Sequence, residues 1–146
     1  MDIYPFAVSD RTGSGRFFPA DYEGGSLVQM AEGAVEASIQ TVTLDDFFYE
    51  RGWPRVDVIK MDIEGGEMFA LSGMSELCKR NPGVILIMES NPYCYLKAGV
   101  TPEALGSKLF ELGFTKGWVI ERGMKVFNLP GGYPKGKALC NLLVKR

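Results

Sequence analysis

Apolar positions along the middle of the chain change period twice. Val56–Ile63 reads VDVIKMDI, an apolar run of strand length broken by Asp57 and Lys60. Met68, Phe69, Leu71, Met74, Leu77 and Cys78 then recur at helical spacing, and Asn81-Pro82-Gly83 stops that helix. Val84–Met88, VILIM, is continuous, as expected of a strand covered on both faces. Thr101-Pro102-Glu103 supplies an N-cap, a proline at the first helical position and a first-turn acid. Leu105, Leu109 and Leu112 share one face, and Gly113 closes the helix. Two successive β–α units with buried strands predict an α/β fold with a parallel sheet and right-handed crossovers.

The flanks carry a different pattern. Ile3–Val8 reads as a strand, and Gly13–Phe18 and Ala37–Val42 as a pair around a Gly-rich stretch. Thr43-Leu44-Asp45-Asp46 is a capping pattern that opens a short helix through Tyr49, ended by Gly52 and Pro54. Phe47, Phe48, Tyr49 and Trp53 are expected to pack that helix onto the core. Toward the end, Thr115–Glu121, Lys125–Leu129 and Ala138–Val144 read as strands joined by Gly/Pro turns. No repeat or linker interrupts the 146 residues, so residues 1–146 read as one domain or part of one.

Composition narrows the chemistry. A net charge of −2 leaves no electrostatic footprint for nucleic acid; the Lys135/Lys137 and Lys145/Arg146 pairs read as solvated surface. No apolar stretch approaches the roughly 20 residues that span a bilayer. MDIYPFAVSD lacks the regions of a signal peptide, so a cytoplasmic protein is expected. Cys78, Cys94 and Cys140 form neither a disulfide framework nor a CxxC site. Reduced thiols are expected, with Cys94, among polar loop residues, the most exposed. The chain has no histidine, which removes Ser-His-Asp and Cys-His catalysis, His-ligated zinc and an imidazole base. Gly131–Ala138 falls short of a P-loop, because Ala138 stands where a hydroxyl should hold magnesium. Gly13-Ser14-Gly15 reads as a hairpin turn, since a strand follows it.

The remaining chemistry lies where the Val56–Ile63 strand ends, at Asp62-Ile63-Glu64-Gly65-Gly66-Glu67. Ligands of open α/β sheets bind beyond the carboxyl ends of the strands. Glu64 and Glu67 also fit a capping role at the following helix, whose N-terminus favours carboxylates. A carboxylate that terminates a buried strand, as Asp62 does, is expected to need a specific partner for its desolvation. Glu89 directly follows VILIM at the neighbouring strand mouth. Tyr93 and Tyr95 stand in the loop after it, placed to line an acceptor pocket, although ordinary loop packing is the expected role of each. Asp62, Glu64 and Glu89 also make a set of oxygen ligands of the kind magnesium or calcium takes, but the expectation is no metal.

At these residues the chain resembles the FkbM family of S-adenosylmethionine-dependent methyltransferases. The stretches that carry the likeness are VDVIKMDIEGGEMFALSGM, the preceding TVTLDDFF, the following VILIMES and the opening PFAVSDRTGSGRFF. The resemblance implies a Rossmann-like class I methyltransferase fold, with strands ordered 3-2-1-4-5-7-6 and strand 7 antiparallel. On that map Ile3–Val8 is strand 3, Val56–Ile63 strand 4, Val84–Met88 strand 5, and the C-terminal pair strands 6 and 7. The fold would be partial, from strand 3 onward, without the Gly-rich loop after strand 1 and the acidic ribose anchor after strand 2.

The same likeness implies S-adenosylmethionine as cofactor, held at Ala7, Val8 and Ser9 near adenine and at Asp62 near the methionine end. It implies O-methylation of a small-molecule sugar or natural-product hydroxyl. Asp62 is the first candidate to orient that hydroxyl and take its proton, with Glu64 and Glu89 secondary. Without strands 1 and 2, strand 4 is an exposed apolar edge. The chain is therefore expected to be a truncated part of a longer enzyme, or to pair strand 4 with strand 3, another chain or its own copy. A non-catalytic remnant or partner-binding domain is the alternative reading.

Overall fold

The computed structural model describes residues 1–20, 24–136 and 138–146; Lys137 of the basic pair lies outside the described residues. The strands gather into two sheets rather than one. β1 (Ala7–Val8), β2 (Gly13–Ala20), β3 (Gly24–Ser26) and β4 (Ala37–Val42) form a four-stranded sheet in the order β1-β4-β2-β3. The predicted pairing of the two N-terminal segments is present, with Gly13 opposite Thr41 and Phe17 opposite Ala37 in antiparallel register. The first strand is shorter than expected: only Ala7–Val8 pairs, parallel to β4, while Ile3 stays 80% exposed.

β5 (Val58–Met61), β6 (Ile85–Ser90), β7 (Lys116–Val119), β8 (Lys125–Asn128) and β9 (Cys140–Lys145) form the second sheet, ordered β5-β6-β9-β7-β8. β5 and β6 run parallel, whereas β9 is antiparallel to both β6 and β7. The protein is thus α/β with mixed sheets. β5 lies at an edge of this sheet and does not pair with β1, so of the alternatives for strand 4, pairing with strand 3 is not the one formed. β1 pairs instead with β4 and forms an edge of its own sheet.

Helices pack on one face of the second sheet. The apolar run from Met68 to Cys78 is not one helix but two, α2 (Glu67–Ser72) and α3 (Ser75–Arg80). Gly73 separates them because the chain passes so close to Ser9 that an added Cβ would sit 2.4 Å from its carbonyl oxygen. Both helices still present Ala70, Leu71, Leu77 and Cys78 to one core, which is why a single helical period runs through the break. The N-terminus of α3 has no cap of its own. Asp45 of α1 (Leu44–Tyr49) does that work, accepting from Glu76 N at 3.0 Å and Leu77 N at 2.8 Å. The predicted Thr43 cap of α1 is present and accepts from Asp46 N at 2.9 Å. Of the aromatic group, Phe48 and Trp53 pack on the core, while Tyr49 is 71% exposed.

α4 (Pro92–Ala98) occupies a segment expected to be a loop. Asn91 caps it and Pro92 stands at its first turn, the same signal that opens α5 (Pro102–Glu111) behind Thr101. Cys94 therefore lies inward and is only 4% exposed, contrary to the expectation of the most exposed thiol. Alternation along β6 sends Leu86, Met88 and Ser90 inward and leaves Ile85, Ile87 and Glu89 on the opposite face. That second face is thinly covered, with Val58 and Val126 about half exposed. No described helix is long and apolar enough to cross a membrane.

Candidate active site

The parallel register sets two carboxylates next to each other. Met61 pairs with Met88, so the next residue of each chain segment, Asp62 and Glu89, emerge side by side at the carboxyl end of the sheet. One carboxylate oxygen from each of Asp62, Glu64 and Glu89 lies within 4.8 Å of the others. Oxygens so grouped repel one another unless a positive charge or a proton intervenes. Lys60 supplies one such charge: its ammonium is 3.0 Å from Asp62. Asp62 is half exposed rather than buried, so the anticipated desolvation is absent and the lysine pair is exposed as well. Glu89 differs. Burial first, then the Asp62 and Glu64 charges, raise its proton affinity, and its Oε2 has no hydrogen-bond partner among the described residues.

Glu64 reaches the cluster through a tight turn. Glu64 (φ 48°) and Gly65 (φ 92°) both occupy the left-handed region, and Gly66 N closes the turn onto Ile63 O at 3.1 Å. Gly65 is required twice over, by its φ and because a Cβ there would meet Cys94 Cβ and Met30 Cε at 3.2 Å. A glutamate has no such licence, and holding it left-handed costs about 1–2 kcal/mol. The turn is anchored from both sides: Ser26 donates to the Glu64 carbonyl at 2.6 Å, and the Cys94 thiol donates to Glu64 Oε2 at 3.3 Å. Burial and the Glu64 carboxylate push that thiol up to about 12, so Cys94 is a hydrogen-bond donor at neutral pH and not a nucleophile.

Glu67 is the residue the sequence undersold. It is 2% exposed, opens α2, and leaves Oε2 without a partner among the described residues. Burial raises its pKa to about 7, backbone amides of the turn pull it down, and Glu64 adds a further upward push. Its spacing was a usable signal: Ala70, Leu71 and Met74 stand three, four and seven residues on, which puts Glu67 on the buried stripe of the helix. Nearby, Tyr95 is buried and donates to the Glu89 carbonyl at 2.8 Å, while Tyr133 donates to Ser90 at 3.3 Å. Tyr95 thus holds up the strand end that carries Glu89. Tyr93 is exposed on the outer face of α4.

Two hollows flank the carboxylates. One, of about 430 Å³, is lined by Tyr4, Phe6, Ala7, Val8, Asp62 and Gly66, among others. The other, of about 600 Å³, is lined by Phe18, Met30, Val35, Glu64, Asn91 and Tyr93, among others. Gly25 and Ser26 line both. Ala7, Val8 and Asp62 therefore line one hollow. Ser9 is not among its lining residues; it is buried, with its amide on Val42 O at 2.9 Å and its hydroxyl on Asp10 at 3.1 Å.

Residues 1–114 match the profile of the methyltransferase FkbM domain. The chain belongs to the FkbM methyltransferase family. The match takes in both hollows, the acidic turn and β6, and ends after α5. No curated protein and no solved structure matches the chain.

Proposed function

We propose that this FkbM domain transfers a methyl group from S-adenosylmethionine to a hydroxyl of a sugar or natural product, on a Rossmann-like scaffold. One observation carries this reading: Asp62, Glu64 and Glu89 converge at the mouths of two adjacent parallel strands, between two hollows of small-molecule size. The order β5-β6-β9-β7, with β9 antiparallel, corresponds to the 4-5-7-6 half of that scaffold.

The hollow beside Tyr4, Phe6, Ala7 and Val8 fits the cofactor's flat, apolar base, and Asp62 at its other side suits the cationic methionine end. When bound, the cofactor supplies an electrophilic methyl group on sulfur. The acceptor then occupies the neighbouring hollow, where Glu64 and Asn91 offer polar contacts on an otherwise apolar wall. Alignment of hydroxyl and methyl is the main demand of an in-line displacement. Glu89, rather than the lysine-paired Asp62, takes the hydroxyl proton, because its surroundings make it the better base. Asp62 orients the donor and Glu64 the acceptor. Three free, buried cysteines fit a reducing compartment such as the cytoplasm.

A second reading rests on the β5 edge, which has no second strand beside it among the described residues. It holds that the chain is a non-catalytic domain whose edge pairs with a partner strand, from another chain or a copy of itself. Calorimetry with S-adenosylmethionine separates the two. Micromolar binding that Asp62→Ala weakens supports the methyltransferase. Absence of binding, with dimerisation of the purified chain, supports the second reading instead.

A further inference from the structure

A third cavity, of about 420 Å³, lies in a part of the chain that the family match does not reach. Apart from Ser90, its walls come from residues 119–140: Val119, Phe127 and Cys140 give an apolar floor, and Arg122, Lys125 and Lys135 stand around the opening. Ser90 is buried in β6 and points away from the face that carries Glu89, so the cavity and the acidic cluster use opposite sides of one strand end. Its size falls within the range of small-molecule sites.

The charges at the opening are unequal in their commitments. Lys135 pairs with Glu103 at 2.6 Å. Among the described residues, no carboxylate lies within ion-pairing distance of Arg122 or Lys125. Glu121, the acid beside Arg122 in sequence, is occupied elsewhere: Asn141 donates to it from its amide at 2.9 Å and from Nδ2 at 2.7 Å. The guanidinium itself leans across the cavity, with Nη2 3.5 Å from where a Cβ on Gly136 would stand. Two uncommitted cations above an apolar floor call for a ligand that is negative at one end and hydrophobic at the other.

We propose that this cavity binds a small organic oxyanion, a phosphate or carboxylate on a ring-sized apolar body. The oxyanion meets Arg122 and Lys125, and the apolar body rests on Val119, Phe127 and Cys140. The site stands apart from the methyl-transfer reading and does not depend on it.

The test is an amide-resolved NMR titration of the full chain with phenyl phosphate, benzoate, inorganic phosphate and benzyl alcohol. Phenyl phosphate or benzoate should shift Val119, Phe127 and Cys140 and leave Asp62–Glu67 in place; which of the two binds tighter identifies the oxyanion. Inorganic phosphate and benzyl alcohol, each with half of the recognised features, should bind roughly tenfold more weakly, as should either organic anion to an Arg122→Ala/Lys125→Ala variant. Both substituted side chains are exposed, so the variant keeps its fold. Equal binding of inorganic phosphate, an unaffected double variant, shifts centred on Asp62–Glu67, or no shifts with any probe overturns the proposal.

Discussion

The Ser26 hydroxyl donates to the Glu64 carbonyl at 2.6 Å while it accepts from Val28 N at 2.9 Å. One buried side chain thereby ties β3 of the first sheet to the acidic turn of the second. Ser26→Ala leaves the Glu64 carbonyl and the Val28 amide unpaired, which should cost about 1–3 kcal/mol. Urea denaturation reads this as a lower midpoint; an unchanged midpoint would show that the bond carries no weight.

Glu64 should trade stability for function. Its left-handed backbone is strained, and glycine relieves that strain, so Glu64→Gly is expected to raise stability by about 1 kcal/mol. The same change removes the carboxylate from the cluster and should weaken acceptor turnover. Thermal denaturation and methyl-transfer assays on one preparation test both halves, and a destabilised Glu64→Gly would contradict the account of the turn.

Glu67 makes stability depend on pH in a defined direction. Burial raises its folded-state pKa from 4.5 to about 7, so the folded state holds a proton that the unfolded state has released. That contribution is complete below pH 4.5 and is lost as pH rises through 7. The full shift corresponds to about 3 kcal/mol. Glu67→Gln keeps the shape without the charge, and it should be more stable than the parent protein at pH 8 yet similar at pH 4.5. Parallel denaturation curves at the two pH values check this; equal pH dependence in both proteins would remove Glu67 from the explanation.

Asp62 and Glu89 should separate kinetically. Glu89→Gln is expected to lower acceptor turnover by about 10²–10⁴-fold with cofactor affinity retained, because it removes proton acceptance alone. Asp62→Asn should instead weaken cofactor binding. Turnover measured beside calorimetry distinguishes them, and the reverse pattern would return the proton-accepting role to Asp62.

Much of this was legible in the chain. VILIM, the Thr101-Pro102 helix start and the placing of carboxylates at neighbouring strand ends follow from periodicity and capping, which are local. What escaped was set by distant contacts. The break at Gly73 depends on Ser9, sixty-odd residues earlier in the chain, and the shielding of Cys94 depends on α4 folding against the Glu64 turn. The Asn91-Pro92 start of α4 was written in the same terms as Thr101-Pro102 but followed directly on a strand, where a loop was the simpler reading. Asp62 misled in the other direction: its neighbour Lys60, on the same side of the strand, already provided the counter-charge.

The hollow beside Val8 has one wall on the first sheet, from Ala7 and Val8, and another on the turn after β5 of the second, from Asp62 and Gly66. A molecule lodged there would bridge two sheets that share no strand pairing among the described residues. Its arrival should therefore be felt far from its own contacts, as slowed amide exchange in β1 and β4 together with the β5–α2 turn.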